Sequence, residues 1–170
     1  EPTAHPDFPA IIRETVRLRD AYCPGCKITV LSNATMLHKA EVREALMMVD
    51  NNCQKVDTVD NDFIRAIDRP QSPAYDIRKV LEYLQMFEGK VVIQSMFLTG
   101  EYEGRDCDNT VEKDVAPWLE ALKAIRPQKV MIYTIDRETP AKGLKKASPS
   151  QLDEIAARVK RIGFDCSVSY

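Results

Sequence analysis

The hydrophobic period of this chain changes again and again along its length, and that alternation restricts its fold more than any other feature. Five short apolar runs rich in β-branched residues occupy 27–32, 53–58, 90–98, 128–135 and 164–169. They are too continuous for strands with one wet face and read as parallel strands covered on both sides. Between them the apolar residues fall at helical spacing: Val42, Ala45, Leu46 and Val49; Ile77, Val80, Leu81 and Leu84; Val115, Trp118, Leu119 and Leu122; Leu152, Ile155, Ala156, Val159 and Ile162. An earlier helix runs from Pro9 to about Ala21, with Ile12 and Val16 inward. Start signals agree: Ser148-Pro149-Ser150-Gln151 is a capping box with Pro at the first helical position, and Ser72-Pro73 and Asp7-Phe8-Pro9 are similar. Pro117 either kinks the third pattern or marks its first turn. Strand and helix pairs of about thirty to forty residues are βαβ units. They predict one α/β domain over 1–170, with parallel strands and outer helices. Two longer loops, 59–71 and 99–109, leave strand C-termini, the side where function collects.

Composition excludes little but points one way. A length of 170 residues is enough for one buried core, and 44% apolar with 29% charged content is ordinary for a globular chain. No run approaches the ~20 apolar residues that span a bilayer, so no membrane partner is expected. The net charge of −2 demands no nucleic acid. The distribution is uneven: residues 122–161 hold ten Lys and Arg against four Asp and Glu, whereas residues 1–121 hold fourteen against twenty-one. Solvated helix faces account for this more simply than a binding patch. The cysteine count is odd (Cys23, Cys26, Cys53, Cys107, Cys166) and no secretory or transit signal is seen, which argues for free thiols in a reducing cytosol. Cys23-Pro24-Gly25-Cys26 invites a thioredoxin-like or zinc reading, but it precedes a strand instead of following one. A Pro-Gly turn carrying two incidental thiols is the simpler expectation. A zinc site with Cys53 and Cys166 is the alternative.

The strand ends carry the chemistry. Glu1-Pro2-Thr3-Ala4-His5-Pro6-Asp7-Phe8-Pro9 places a carboxylate just ahead of a helix start, the pattern of a βα-barrel strand tip, with that strand expected before Glu1. The next tips leave Ser32-Asn33, Lys55-Val56-Asp57, Gln94-Ser95-Met96 and Tyr133-Thr134-Ile135-Asp136-Arg137. A polar residue in a buried parallel strand costs free energy unless it is paired, so polar groups recurring at several tips describe a lined pocket. Taken singly, Asn33 reads as a helix cap and Asp57 or Arg137 as a loop ion pair.

Glu1-Pro2-Thr3 with His5-Pro6 and Phe8 resembles the Gly-Glu-Pro-Thr segment of radical S-adenosylmethionine enzymes, and Leu31-Ser32-Asn33 resembles their next strand end. Lys55-Val56-Asp57, Phe63 and Ala66-Ile67-Asp68-Arg69-Pro70 are similar to the Lys-Leu-Asp and Asn-Arg-Pro segments of one branch, as is Thr134-Ile135-Asp136-Arg137 with Pro140, Gly143-Leu144 and Ala147-Ser148. That branch holds Fe–S oxidoreductases related to wyosine-type tRNA-modifying enzymes and to glycyl-radical (pyruvate formate-lyase) activating enzymes. The resemblance spans the whole chain. It implies a partial (β/α)6-type TIM barrel truncated at its N-terminus, with S-adenosylmethionine as cofactor and a [4Fe–4S] cluster in the full-length protein. The family's CxxxCxxC is absent here, so the chain alone is expected to be inactive.

The resemblance further implies cofactor contacts from Glu1, Asn33, Lys55, Asp57, Gln94 and Thr134, and an anionic substrate group facing Arg69 and Arg137, with Lys142, Lys145 and Lys146 as a solvated basic loop. No metal ligand is expected within the chain. The expected activity is reductive cleavage of S-adenosylmethionine, with electrons from a donor such as flavodoxin or ferredoxin, and hydrogen abstraction from tRNA or another phosphorylated substrate. Activation of a glycyl-radical enzyme is the alternative within the class. A non-radical partial-barrel binding domain is the alternative outside it. Truncation leaves the strand at 27–32 as an open edge, through which the fragment is expected to self-associate.

Overall fold

A computed structural model describes residues 1–137 and 139–170. Five strands form one parallel sheet: β1 (Thr29–Ser32), β2 (Asn51–Lys55), β3 (Val92–Met96), β6 (Lys129–Tyr133) and β8 (Cys166–Ser169), in the spatial order β1-β2-β3-β6-β8. Each crossover steps one strand onward without reversing. Because such crossovers share one hand, their helices collect on a single side, as in a barrel wall. Those helices are α1 (Phe8–Tyr22), α2 (Ala40–Leu46), α4 (Ile77–Gln85), α5 (Glu112–Ile125) and α6 (Pro149–Arg161). Phe8, Ile12, Leu46, Ile77, Leu84, Trp118, Leu122, Leu152 and Val159 pack against the strand residues Val30, Ile93, Val130 and Ile132 in one core. Burying each such side chain contributes about 1.5–3 kcal/mol.

The sheet is covered on one face only, which corrects the expectation of strands buried on both. Residues in register share a face, so Lys55, Gln94, Met131 and Ser167 form one row, with Met96 and Tyr133 beyond it. All six are only partly buried, and Leu31 on the same face is 55% exposed. Only Cys53 and Val92 are buried there.

Side-chain acceptors start three of the helices, at Asp60, Asp76 and Ser148, whereas Asp7 makes no cap hydrogen bond at α1. Ser148 Oγ accepts from Gln151 N (3.3 Å) and Gln151 Oε1 accepts from Ser148 N (2.8 Å), the expected box. Ser72-Pro73 starts nothing. α4 begins after Asp76, whose Oδ1 accepts from Arg78 N at 3.0 Å. Pro117 lies in the second turn of α5 and marks no start.

The two segments expected as loops are structured. Within 59–71 lies α3 (Asn61–Ile67), capped by Asp60 Oδ1 on Asp62 N at 2.7 Å. Within 99–109 lie most of β4 (Leu98–Tyr102) and β5 (Arg105–Asp106), which join β7 (Leu144–Lys146) in an antiparallel ribbon of order β5-β4-β7. Two backbones touch in that ribbon. A Cβ on Gly143 would stand 1.9 Å from the Glu101 carbonyl oxygen, and one on Gly100 would stand 2.2 Å from the Gly143 oxygen. Phe63, Leu98 and Cys107 form a second small core under this cap, packed with Ile67, Met96, Tyr102, Ile135 and Leu144.

At the opposite end of the sheet Cys23 and Cys26 form a disulfide, so the expectation of two free thiols fails. The Pro24-Gly25 turn, closed by Cys26 N on the Cys23 oxygen at 2.9 Å, sets the two Cα atoms 5.5 Å apart, within disulfide reach. Cys53 lies on the open face and Cys166, in register with Val130, on the helix side, so the four-cysteine zinc reading also fails. Among the described residues no group of three or more His, Cys, Asp and Glu is placed to hold a metal. β1 is an outer strand, its far edge unpaired among the described residues. No helix among them is long and apolar enough to cross a membrane.

Candidate functional site

The backbone at the tip of β2 is tied by several buried side chains. Val56 N donates to the Gln94 oxygen at 2.9 Å. The Val56 carbonyl accepts from Ser95 Oγ (2.5 Å) and from the buried Trp118 Nε1 (3.1 Å). At the very next residue, Asp57 Oδ1 accepts from Met96 N at 2.8 Å. Its other oxygen pairs with Lys55 Nζ, which also reaches Asp68 Oδ1 at 3.1 Å. The Asp57 side chain is 3% exposed, against 28% for Lys55 and 32% for Asp68.

This arrangement sets the electrostatics. Burial pushes the Asp57 carboxyl up to about 6. Lys55 and the Met96 amide pull against that rise, and the Asp68 charge adds to it. Burial opposes the Lys55 charge too, but the two carboxylates outweigh it and hold the ammonium above the ordinary lysine range. Tyr75 is pushed up to about 12 and Tyr133 upward, both mainly by burial, with Asp57 and Asp68 nearby adding to the rise. One cation therefore faces two carboxylates, flanked by two tyrosines.

Glu1 stands at the tip of β1. Oε1 accepts from Thr3 N (3.0 Å) and from the Thr3 hydroxyl, which lies 3.4 Å from Ser32 Oγ; Oε2 accepts from Asn33 N at 2.6 Å. Partial burial works against the charge, but the Asn33 and Thr3 hydrogen bonds prevail and keep the carboxyl below the ordinary glutamate range. The bend that permits this is strained, since buried Ala34 has φ 63°.

The other expected site residues divide. Gln94 lies beside Lys55 on the open face. Asn33 is exposed, and its Oδ1 closes a local turn by accepting from Thr35 N (3.1 Å) and Thr35 Oγ1 (2.7 Å). Thr134 is buried and its hydroxyl accepts from Ala147 N at 2.8 Å, which fixes the chain between β6 and α6. Arg69, at φ 48°, lies over the Tyr102 ring (5.2 Å to the centroid) and pairs with Glu103 at 3.0 Å. Arg137 is exposed. The structure thus gathers Lys55, Asp57 and Gln94 near one another, sets Glu1 and Asn33 at the neighbouring tip, and places Arg69 against the cap ribbon. Sequence reasoning missed Tyr75 and Asn109 as members. Asp68 had a signal, since it lies in the Ala66–Pro70 motif, but its contact with Lys55 spans 13 residues and no spacing rule reveals it.

No known family model matches the chain. It is 28% identical over 149 residues to a UPF0026 protein of Helicobacter pylori (85% of this chain, 44% of that protein). It is 31% identical over 115 residues to a UPF0026 protein of Synechocystis sp. (65% and 40%), and 25% identical over 171 residues to GTPase Obg of Brachyspira hyodysenteriae (99% and 23%). The chain spans less than half the length of these curated relatives.

Among solved structures it resembles a domain of pyruvate-formate lyase-activating enzyme from Bacteroides vulgatus, with TM-score 0.70 and 15% identity over 100% of this chain and 94% of that one. It resembles Streptococcus suis SuiB bound to S-adenosylmethionine, with TM-score 0.69 and 13% identity over 100% of this chain and 38% of that one. A radical SAM methyltransferase from Sphaerobacter thermophilus matches with TM-score 0.59 and 13% identity over 84% of this chain and 40% of that one. At these identities the likeness defines the fold. It is the α/β partial barrel that these radical SAM enzymes share.

Proposed function

We propose that the chain forms the cofactor-facing part of a radical SAM enzyme and that the strand and cluster loop ahead of Glu1 come from the remainder of a longer protein. The observation that carries this reading is Glu1. Its carboxylate is held anionic at the tip of the outer strand β1 by the Asn33 and Thr3 amides, and each oxygen keeps lone-pair capacity. A strand ending at Glu1 would lie beside β1, and the carboxylate would accept a charge-assisted hydrogen bond from a methionyl ammonium. The excess of carboxylate around Lys55 also favours a ligand that carries an ammonium and a sulfonium. Gln94 faces the same open side and offers an amide to a base or ribose. Thr134 acts through the backbone it fixes.

When bound beside a reduced [4Fe–4S] cluster, S-adenosylmethionine supplies the radical chemistry, and the protein supplies position and charge. The residues of this chain do not fit the cluster itself. CxxxCxxC is absent from the sequence, and the thiols outside the disulfide are buried apart from one another, Cys53 on β2, Cys107 just after β5 and Cys166 on β8. Alignment to a GTPase brings no nucleotide site, because no Gly-x4-Gly-Lys-Ser/Thr occurs.

For the substrate we favour tRNA or another phosphorylated molecule, because exposed Lys142, Lys145 and Lys146 lie in or just before β7 of the cap ribbon, and Arg137 is exposed after β6. Arg69, already paired with Glu103, is a weaker partner for phosphate. RNA binding to the longer protein should weaken steeply with salt, whereas docking of a glycyl-radical enzyme need not. The test of the central reading is electron paramagnetic resonance of the longer protein, reconstituted anaerobically and reduced. A cluster signal that changes on adding S-adenosylmethionine, and changes less in Glu1→Ala, supports it. No cluster signal refutes it and leaves a binding domain without radical chemistry.

A further inference from the structure

We infer that Asn109 is a positioning residue that locks the Lys55–Asp57 pair in place and ties it to the cap ribbon. The functional part of this inference rests on the cofactor reading above. Asn109 is 1% exposed. Its Nδ2 donates to the Asp57 carbonyl (3.1 Å) and to the Met96 carbonyl (2.9 Å), while its Oδ1 accepts from Leu98 N (2.8 Å). One amide thus uses both donors and its acceptor at the point where β2 ends, β3 ends and β4 begins. These are three backbone groups that no strand ladder serves, since the parallel sheet stops at Met96 and the ribbon starts at Leu98.

The tie has consequences on both sides. Asn109 N donates to the Leu98 oxygen at 3.3 Å, so the residue itself belongs to the ribbon's first strand contact. The next residue, Thr110, accepts from Gln151 Nε2 at 2.7 Å and so connects to the start of α6. Any shift of the ribbon over a substrate therefore reaches the Asp57 backbone through a single side chain. An apolar or shorter residue at 109 would leave two carbonyls and one amide buried without partners, and water would enter beside Asp57.

The test uses the 170-residue chain and the amide resonance of Met96, whose proton is hydrogen-bonded to the Asp57 carboxylate. Besides Lys55 on its own strand, Asp57 is faced by Asp68 after α3, Tyr75 before α4 and Tyr133 on β6, none of which the substitution touches. In the native chain the Met96 shift titrates with a midpoint near 6. In Asn109→Ala the midpoint falls by at least one pH unit as the site hydrates. In Val159→Ala, which loosens the core at α6 away from this tip, it does not move. Should Asn109→Ala fail to fold, Asn109→Ser retains one short donor and shifts the midpoint in the same direction by less. A titration in the Asn109 variants that overlays the native one, or an equal shift in Val159→Ala, overturns the inference. Failure of the cofactor reading is separable: the Asn109 effect then remains, while S-adenosylmethionine leaves Met96 of the longer protein unperturbed.

Discussion

Two aspartates, one at each end of β2, have nearly the same partners and opposite characters. Asp50, just before the strand, accepts from Ile28 N at 2.9 Å and pairs with Arg19 (2.8 Å) and Lys27 (3.2 Å). Asp57, just after it, accepts from Met96 N and pairs with Lys55. The Ile28 amide and two cations, exposed Lys27 and largely covered Arg19, hold Asp50 below the ordinary range. Burial, with one cation shared between two carboxylates, lifts Asp57 to about 6. A backbone amide and a cation do not decide the chemistry of a carboxylate; solvent access and the count of neighbouring charges do. Asp50 is a strand clamp. Asp57 is a buried carboxylate with a raised pKa at the sheet's polar tip.

The largest expected effect is on the buried side. Lys55→Met strands the Asp57 carboxylate and costs about 3–5 kcal/mol at pH 8, where Asp57 is ionised. The loss shrinks at pH 5, where Asp57 is protonated. Urea unfolding at both pH values checks the difference, and an equal loss at both would place the two aspartates in one class. Next is the linkage sign. Because the folded pKa of Asp57 is raised, its contribution to stability is fully present below the unfolded value of about 4 and is lost as pH rises through about 6. The native chain should therefore lose about 2 kcal/mol relative to Asp57→Asn between pH 4 and pH 7. Asp50→Asn should show the reverse and smaller trend, because a lowered carboxyl contributes above its unfolded pKa and loses that contribution as pH falls. Smallest is Lys27→Met, an exposed partner whose removal should leave the melting temperature unchanged within error in moderate salt.

The difference between the ends of the sheet bears on what the sequence could reveal. The helix built on Leu152–Val159 was legible because apolar spacing and cap agree, the one on Ile77–Leu84 by spacing alone, since its cap is Asp76 and not Ser72, and the five parallel strands because β-branched runs recur between them. The open face was not, since Met131 and Tyr133 are apolar enough to complete a run whichever side they face. The ribbon was hidden by brevity: β5 has two residues and β7 three, and β4 carries Gly100 in its middle. α3 has the right apolar positions, Phe63, Ile64 and Ile67, in too few turns to declare a period. Burial of Asp57 runs against the default exposure of carboxylates, and the side chains that tie its segment are distant in sequence: Asn109 is 52 residues from Asp57 and Trp118 is 62 from Val56. The link from Glu1 to Asn33 spans 32 residues and was approached only through the resemblance of their two motifs.

For the longer protein proposed above, amide hydrogen exchange with and without S-adenosylmethionine, after anaerobic cluster reconstitution, is the decisive measurement. The account predicts added protection at Asn33, Val56 and Met96, at the strand tips, and none at Ile28 or across residues 23–28 beside the Cys23–Cys26 disulfide. Protection confined to the disulfide end, or exchange that ignores the ligand at both ends, would contradict it.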